Sequence, residues 1–282
     1  PDLAKRAAEL GMPAVGITDH GNMHGAYEMY TNCVANGVKP IIGIEAYVTP
    51  ETARQDKSRV HWGTEAQRRD DVSGGGLITH LTMWAENDEG LVNLIKASSV
   101  ANLEGRVMRY PRMDKEVLAT YSKGVIASSG CPSGIIQTRL RLGQFEEALR
   151  AAGEFQDIFG KDNFFIELMD HGLPIETQVT GDLLTIAKKL NAPLLATNDS
   201  HYVHAEDAGA QDAMLCINSG SRLDDPDRFK FDGTGYYIKT AEEMRELFKD
   251  HPDACDNTLV IAERCNVMFD DHEDGAFMPK FP

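Results

Sequence analysis

Gly11 to Val48 reads GMPAVGITDHGNMHGAYEMYTNCVANGVKPIIGIEAYV, and its punctuation decides the fold. Gly11 and Pro13 stop one helix and release a short apolar, β-rich run, AVGIT, that ends at Thr18. Gly37 and Pro40 do the same before PIIGIEAYV, which ends at Val48, and Met23 to Asn36 between the two runs is helix-like. A strand, a helix and a second strand in that order predict a βαβ unit, whose strands run parallel.

The alternation continues outward. LITHLTMWA ends at Ala85, GVIASSG at Gly130, NFFIELM at Met169 and PLLATN at Asn198, the last released by Asn191 and Pro193. Helix-like segments at Asn87–Ser99, Gly143–Ile158, Glu176–Leu190 and Ala205–Asn218 lie between or after them. The pattern predicts an α/β fold with parallel strands, either a barrel or a doubly wound sheet.

Two stretches break it. Thr49 to Gly76 carries Arg54, Lys57, Arg59, Arg68 and Arg69 among acids and closes in Ser-Gly-Gly-Gly, which predicts a mobile surface loop. After Leu223, RFKFDGTGYYIK predicts a hairpin around Asp-Gly-Thr-Gly, followed by helices from Thr240 and from His251. The expected division is therefore a barrel over 1–222, with 223–282 as a hairpin and helical connection to something larger. Because the first residue sits inside a helix and GAFMPKFP does not resemble a domain end, a fragment cut at both ends is expected.

The 282 residues can bury a sizeable core. No run approaches the roughly 18 to 20 apolar residues of a membrane span, and PDLAKRAAELG reads as an amphipathic helix rather than a signal peptide, so a soluble cytoplasmic protein without a membrane partner is expected. The five cysteines, Cys33, Cys131, Cys216, Cys255 and Cys265, form no CxxC pair, which argues against a disulfide framework and a zinc ribbon. A formal net charge of −16 opposes non-specific attraction to phosphates, so a nucleic-acid substrate needs local cationic centres, which bound divalent metals supply.

Ligand-type side chains gather at the expected strand ends: Asp19 and His20, Glu45, His80, Cys131, His171, Asp199 and His201. Active sites of parallel α/β folds assemble at that rim. Imidazole, thiolate and carboxylate together suit Zn²⁺, with Mn²⁺ or Fe²⁺ where oxygen dominates. A carboxylate such as Glu45 or Asp199 can bridge two ions about 3.5 to 4 Å apart, and such a pair stabilises the entering and leaving oxygens of phosphoester hydrolysis.

Each residue also has an ordinary reading, since strand-end histidines hydrogen-bond loops and strand-end Asp or Asn caps the next helix. Cys131 is a buried thiol, an activated nucleophile or a ligand, and the neighbouring histidines and acids favour the ligand. His24 shares a face with His20 only if the helix has already begun, which the Gly21-Asn22 turn opposes, so it reads as surface or support. Glu167 and His171, around the end of the fifth strand, read as ligands or lining residues ranking below the other six, and Asp19 and Asn198 as lining or supporting residues. No GxxxxGK[ST], no GxGxxG after a strand and no GxSxG occurs, so triphosphate cradles, nicotinamide redox and serine hydrolysis lose support.

The motifs TDHGN (18–22), GIEAY (43–47), THLT (79–82), GCPSG (130–134) and ATNDSHY (196–202), taken in order, resemble the polymerase and histidinol phosphatase (PHP) domain. More narrowly they resemble the PHP domains that begin bacterial replicative polymerase III alpha subunits. The resemblance implies a distorted seven-stranded βα barrel with a three-ion, nine-ligand centre that in some members performs 3′-to-5′ proofreading during DNA replication. Six ligands carry over to His20, Glu45, His80, Cys131, Asp199 and His201. The family's first motif, a HisxHis pair followed by an Asp, precedes Pro1, so the barrel's first strand and three ligands are expected upstream.

The resemblance further implies a polymerase core after Pro282, other replisome subunits such as a sliding clamp as partners, and a single-stranded or frayed DNA 3′ end as substrate. Two other readings are an inactive scaffold that docks a separate proofreading subunit and a stand-alone phosphomonoesterase. The six metal-competent side chains speak against the scaffold, and the segment after Leu223 speaks against the stand-alone enzyme.

Overall fold

A computed structural model describes residues 1–67 and 75–269. Arg68, Arg69 and part of the Ser-Gly-Gly-Gly run, together with GAFMPKFP, lie outside the described residues. Among the described residues seven strands form one mixed sheet: β1 (Ala14–His20), β2 (Lys39–Val48), β3 (Thr79–Ala85), β4 (Arg112–Met113), β5 (Val125–Ser128), β6 (Phe164–Leu168) and β7 (Leu194–Ala196). Their order is β1-β2-β3-β5-β6-β7, with β4 paired to β2. The curled sheet wrapped by helices is the distorted α/β barrel expected.

The helix stops were legible. Helices α1 (Asp2–Glu9), α2 (Ala26–Ala35) and α7 (Pro174–Leu190) end at left-handed residues, Gly11 at φ 67°, Gly37 at φ 70° and Asn191 at φ 49°. In each the next amide reaches back, Met12 to Ala7, Val38 to Cys33 and Ala192 to Ala187, all at 2.9 Å. These are Schellman closures, in which a residue free to turn left-handed lets the chain leave the helix and enter a strand.

The expectation of an all-parallel sheet needs correction. β3 runs antiparallel to both β2 and β5, whereas β1–β2, β5–β6 and β6–β7 are parallel. A parallel neighbour requires a crossover, usually a helix, and the stretch between β2 and β3 contains none among its described residues. β3 therefore returns beside β2, and its amino end reaches the rim where the other strands end.

That long stretch is not a free surface loop where it is described. Arg112 of β4, fully buried, donates from Nε to Gly105 O (3.0 Å), from Nη1 to Leu77 O (3.3 Å) and from Nη2 to Arg54 O (2.8 Å) and Asp56 O (2.7 Å). Arg54 is clamped in turn by Glu104, Asp114 and Glu116. Further on, Trp62 lies 3.9 Å beneath the Arg139 guanidinium.

Strand residues alternate between two faces. The outer face packs into the main core against the helices. The inner face is layered. One end is apolar, built from Ile41, Trp84, Ile126, Phe165 and Leu195 and plugged by Ile261 and Cys265 around α10 (Pro252–Arg264). Above it stand the polar inward residues Glu45, Thr82, Ser128, Glu167 and Thr197, at matching parity in the register. Gly43 permits close packing on the inner face, where a Cβ would meet Met83 O at 2.2 Å.

The expected hairpin at 228–239 does not form, since no strand pairing occurs there. Its second half instead serves the loop after β7: His201 N donates to Tyr236 O at 2.8 Å, and Asn198 Nδ2 to Gly235 O at 3.0 Å and Tyr237 O at 2.7 Å. The amides and carbonyls that a hairpin would pair internally are committed to that loop. No helix among the described residues is long and apolar enough to cross a membrane.

Candidate metal centre

Strand register assembles the first three donors. β1 and β2 place His20 beside Glu45, and β2 and β3 place Thr82 beside Glu45 and His80 beside Tyr47. The buried Glu45 carboxylate thereby stands between two imidazoles, with Oε1 2.6 Å from His80 Nδ1 and Oε2 3.4 Å from His20 Nε2. One donor atom from each of His20, Glu45 and His80 lies within 4.8 Å of the others. His80 sits near the amino end of its strand, and the antiparallel run of β3 is what brings it to this rim.

Cys131 follows β5 through a turn at Gly130, φ 81°. The loop is tied to β3 by His80 N donating to Ser133 O at 3.1 Å. Its buried Sγ lies 3.3 Å from Glu45 Oε1 and 3.4 Å from His80 Nδ1. Burial, reinforced by Glu45 and Asp199, pushes the thiol's pKa well above its ordinary value. Burial also works to raise Glu45, but His80, His20 and the Cys131 hydrogen bond together overcome it and hold that carboxyl at about 2.

Asp199 and His201 flank this cluster from the loop after β7. Asp199 takes a left-handed backbone, φ 45°, and its carboxyl pKa is raised by burial and then by the Glu45 charge. The His201 ring lies 6.0 Å from that of His20 between centroids. His201 Nδ1 is 2.6 Å from the Asp199 carbonyl oxygen. A carbonyl only accepts, so Nδ1 carries the proton and Nε2 keeps its lone pair for a ligand role.

The remaining candidates are committed elsewhere. Both nitrogens of the fully buried His171 side chain are used, Nδ1 on Glu176 Oε1 at 2.6 Å and Nε2 on Asn198 O at 2.9 Å, and its ring stacks on Tyr236. His171 braces the ligand loop and offers no free donor. Asn198 braces it too, with Oδ1 accepting from Lys239 Nζ at 2.7 Å. Asp19 accepts from Gly25 N at 2.7 Å and holds the turn after β1, while His24 is exposed on that turn.

Glu167 lies inside the barrel, its carboxylate accepting from Ser128 Oγ and Thr197 Oγ1, each at 2.5 Å. It shares with Glu45, Cys131 and Asp199 a cavity of about 530 Å³. Burial above all, with Asp199 and Glu45 adding to it against the two hydroxyls, moves its pKa from 4.5 up to about 7. The folded state thus favours the protonated acid, so this stabilisation is complete below pH 4.5 and lost as pH rises through 7. Glu167→Gln in metal-free protein is expected to gain up to about 3 kcal/mol at pH 8, fading to nothing below pH 4.5. Urea unfolding across that range checks it, and parallel pH curves for the two proteins would refute it.

Sequence reading passed over Tyr47, although it lies two residues beyond Glu45 and so on the same strand face. Its ring is 5.4 Å from that of His80 and 6.2 Å from that of His20. Gly21 makes room for it, since a Cβ there would stand 2.6 Å from the ring.

The donor set fits a divalent cation. Two imidazoles, two carboxylates and a thiol converge with a third histidine, and the Glu45 charge opposes the ionisation of both Asp199 and Cys131, a like-charge conflict that a bound dication relieves. Loading would draw the proton from Cys131.

The sequence profile of the PHP domain matches residues 1–171. DNA polymerase III subunit alpha of Mycobacterium tuberculosis is 54% identical over 283 residues, covering 100% of this chain and 24% of that protein. The same-named protein of Saccharopolyspora erythraea is 56% identical over 270 residues, covering 93% and 22%, and that of Treponema pallidum 39% identical over 279 residues, covering 99% and 22%. The chain spans about a quarter of the length of these relatives.

Proposed function

The chain belongs to the PHP domain family, and from that premise we propose that it is a metal-dependent phosphodiesterase domain of a replicative DNA polymerase, removing nucleotides from DNA 3′ ends as a proofreading exonuclease. The observation that carries this reading is the convergence of His20, Glu45 and His80, with Cys131 on two of them. Zinc is the ion we assign, because a thiol and imidazoles share the site, with manganese or iron as substitutes at its oxygen-rich side.

His80 and Cys131 would hold one ion, His20 and His201 would contribute to another, and Glu45 and Asp199 would lie between them. Ions so held supply Lewis acidity for the charge that builds on a phosphoryl group in transfer. The chain's own part is to fix donor directions. Glu45 orients His80 through Nδ1, the Asp199 carbonyl orients His201 through Nδ1, and His171 with Asn198 holds the loop that carries Asp199.

The polymerase core, the 3′ end as substrate and replisome partners such as a sliding clamp belong to this proposal. The test follows a 3′-labelled single strand with the full-length protein and counts its metal. Release of terminal nucleotides that stops with a chelator and returns with zinc or manganese is expected, at about three ions per protein. A metal-free protein that leaves the label untouched would point to the scaffold reading instead.

A further inference from the structure

The turn between α3 (Asp88–Glu104) and β4 extends the centre outward. Val107 and Tyr110 exchange backbone hydrogen bonds at 3.0 Å in both directions, which leaves Met108 at the tip, 75% exposed and left-handed at φ 54°. The base is pinned by Arg112 Nε donating to Gly105 O, so this is a braced projection. Tyr110 meets Tyr47 edge-on, ring centroids 5.2 Å apart at 89°, and Tyr47 in turn lies 5.4 Å from His80. The Arg109 guanidinium stands 5.4 Å from the Tyr110 ring. An unbroken aromatic wall thus runs from the metal donors to a cation.

The charge of this turn is as telling as its shape. In a chain of net charge −16, Arg106 and Arg109 are exposed and make no ion pair among the described residues. Arg54, Arg139, Arg150, Arg228 and Arg264 are paired with carboxylates. Although Arg59 and Arg222 are also exposed without an ion pair among the described residues, Arg109 is set over the Tyr110 ring that leads to the metal donors. A cation left unpaired beside an aromatic ring is the arrangement that holds a single nucleic-acid strand, with the ring stacking a base and the arginine meeting a phosphate.

We propose that Tyr110 and Arg109 form a strand-binding subsite for the nucleotides that precede the scissile 3′ end, Tyr110 stacking a base and Arg109 taking the adjoining phosphate. The subsite rests on the phosphodiesterase reading above and names what that reading lacks, the protein groups that grip the strand. It explains how an acidic domain retains a polyanion: ions held by His20, Glu45 and His80 would meet the scissile phosphate, and the turn meets the next.

The test uses the full-length protein and a single-stranded oligonucleotide carrying 5-iododeoxyuridine next to its 3′ end. Irradiation should cross-link Tyr110, located by mass spectrometry. Tyr110→Ala should raise KM about 10-fold with kcat and metal content unchanged, and Tyr110→Phe should restore it, as loss and recovery of one stacking contact require. Arg109→Ala should reduce the salt dependence of KM by a slope of about 0.7, one phosphate contact to a single strand. Hydrolysis that persists with cross-linking elsewhere and unchanged KM in both alanine variants overturns the subsite while leaving the reaction standing. A protein that cross-links through Tyr110 yet never cleaves supports the subsite and sinks the reaction.

Discussion

Under the proposed function, Glu45→Gln should lower 3′-end hydrolysis by about 10³-fold while the protein still folds. The glutamine keeps the shape but removes the charge at the one atom group that touches His20, His80 and Cys131 together. A carboxylate on a metal is a matter of several kcal/mol, and about 4 kcal/mol corresponds to that factor in rate. Gln Oε1 still accepts from His80 Nδ1 but as a neutral group, and weakening a contact of this kind costs up to about 10- to 100-fold in metal affinity. Metal content and cleavage rate should therefore fall together, and a variant that keeps its full metal complement and full rate would remove Glu45 from the centre.

The same variant carries a pH signature. His80, His20 and Cys131 outweigh burial and hold the Glu45 carboxyl at about 2 against an ordinary 4.5. A depressed pKa contributes stability above the unfolded value, lost as pH falls through the folded one. In metal-free protein the unfolding curve of the parent should thus lose this contribution between pH 4.5 and 2, and Glu45→Gln should lack that limb.

Arg112→Met should cost about 4 to 5 kcal/mol of stability. The parent guanidinium, fully buried, satisfies the carbonyls of Gly105, Leu77, Arg54 and Asp56. Burial pulls its pKa down and Asp56 pushes back, but an arginine remains charged. Methionine fills much of the space and donates nothing, so buried acceptors are left without partners at about 1 to 3 kcal/mol each before relaxation. At roughly 2 to 4 °C per kcal/mol for a chain of this size, the midpoint should drop by about 10 °C. Protease should then cut near Arg54 first, because the described part of that loop hangs on this side chain. A loss below about 1 kcal/mol would show that water replaces the guanidinium.

Local chemistry made much of this legible before any fold was known. The stops at Gly11, Gly37 and Asn191 act within six residues of chain, so they could be read directly and all three close as expected. The donor types at His20, Glu45, His80 and Cys131 were equally visible, and Tyr47 was there to be read from its position two beyond Glu45. By contrast nothing local marked Arg112 as a buried strut, because its four acceptors come from three separate segments. The same holds for His171, whose two nitrogens are spent on residues 5 and 27 positions away.

The amino-acid sequence by itself determined where helices stop at Gly11, Gly37 and Asn191, which strand residues share a face, and which side chains can bind a metal. Those properties follow from backbone geometry and side-chain chemistry over one or two turns of chain. Only the tertiary structure decided that β3 runs against its neighbours, that His80 reaches the ligand rim from the amino end of its strand, and that segment 235–239 serves the loop of Asp199 and His201 instead of closing a hairpin. Strand direction and the pairing of buried charge depend on which distant segment satisfies each hydrogen bond, and no periodicity along the chain carries that information.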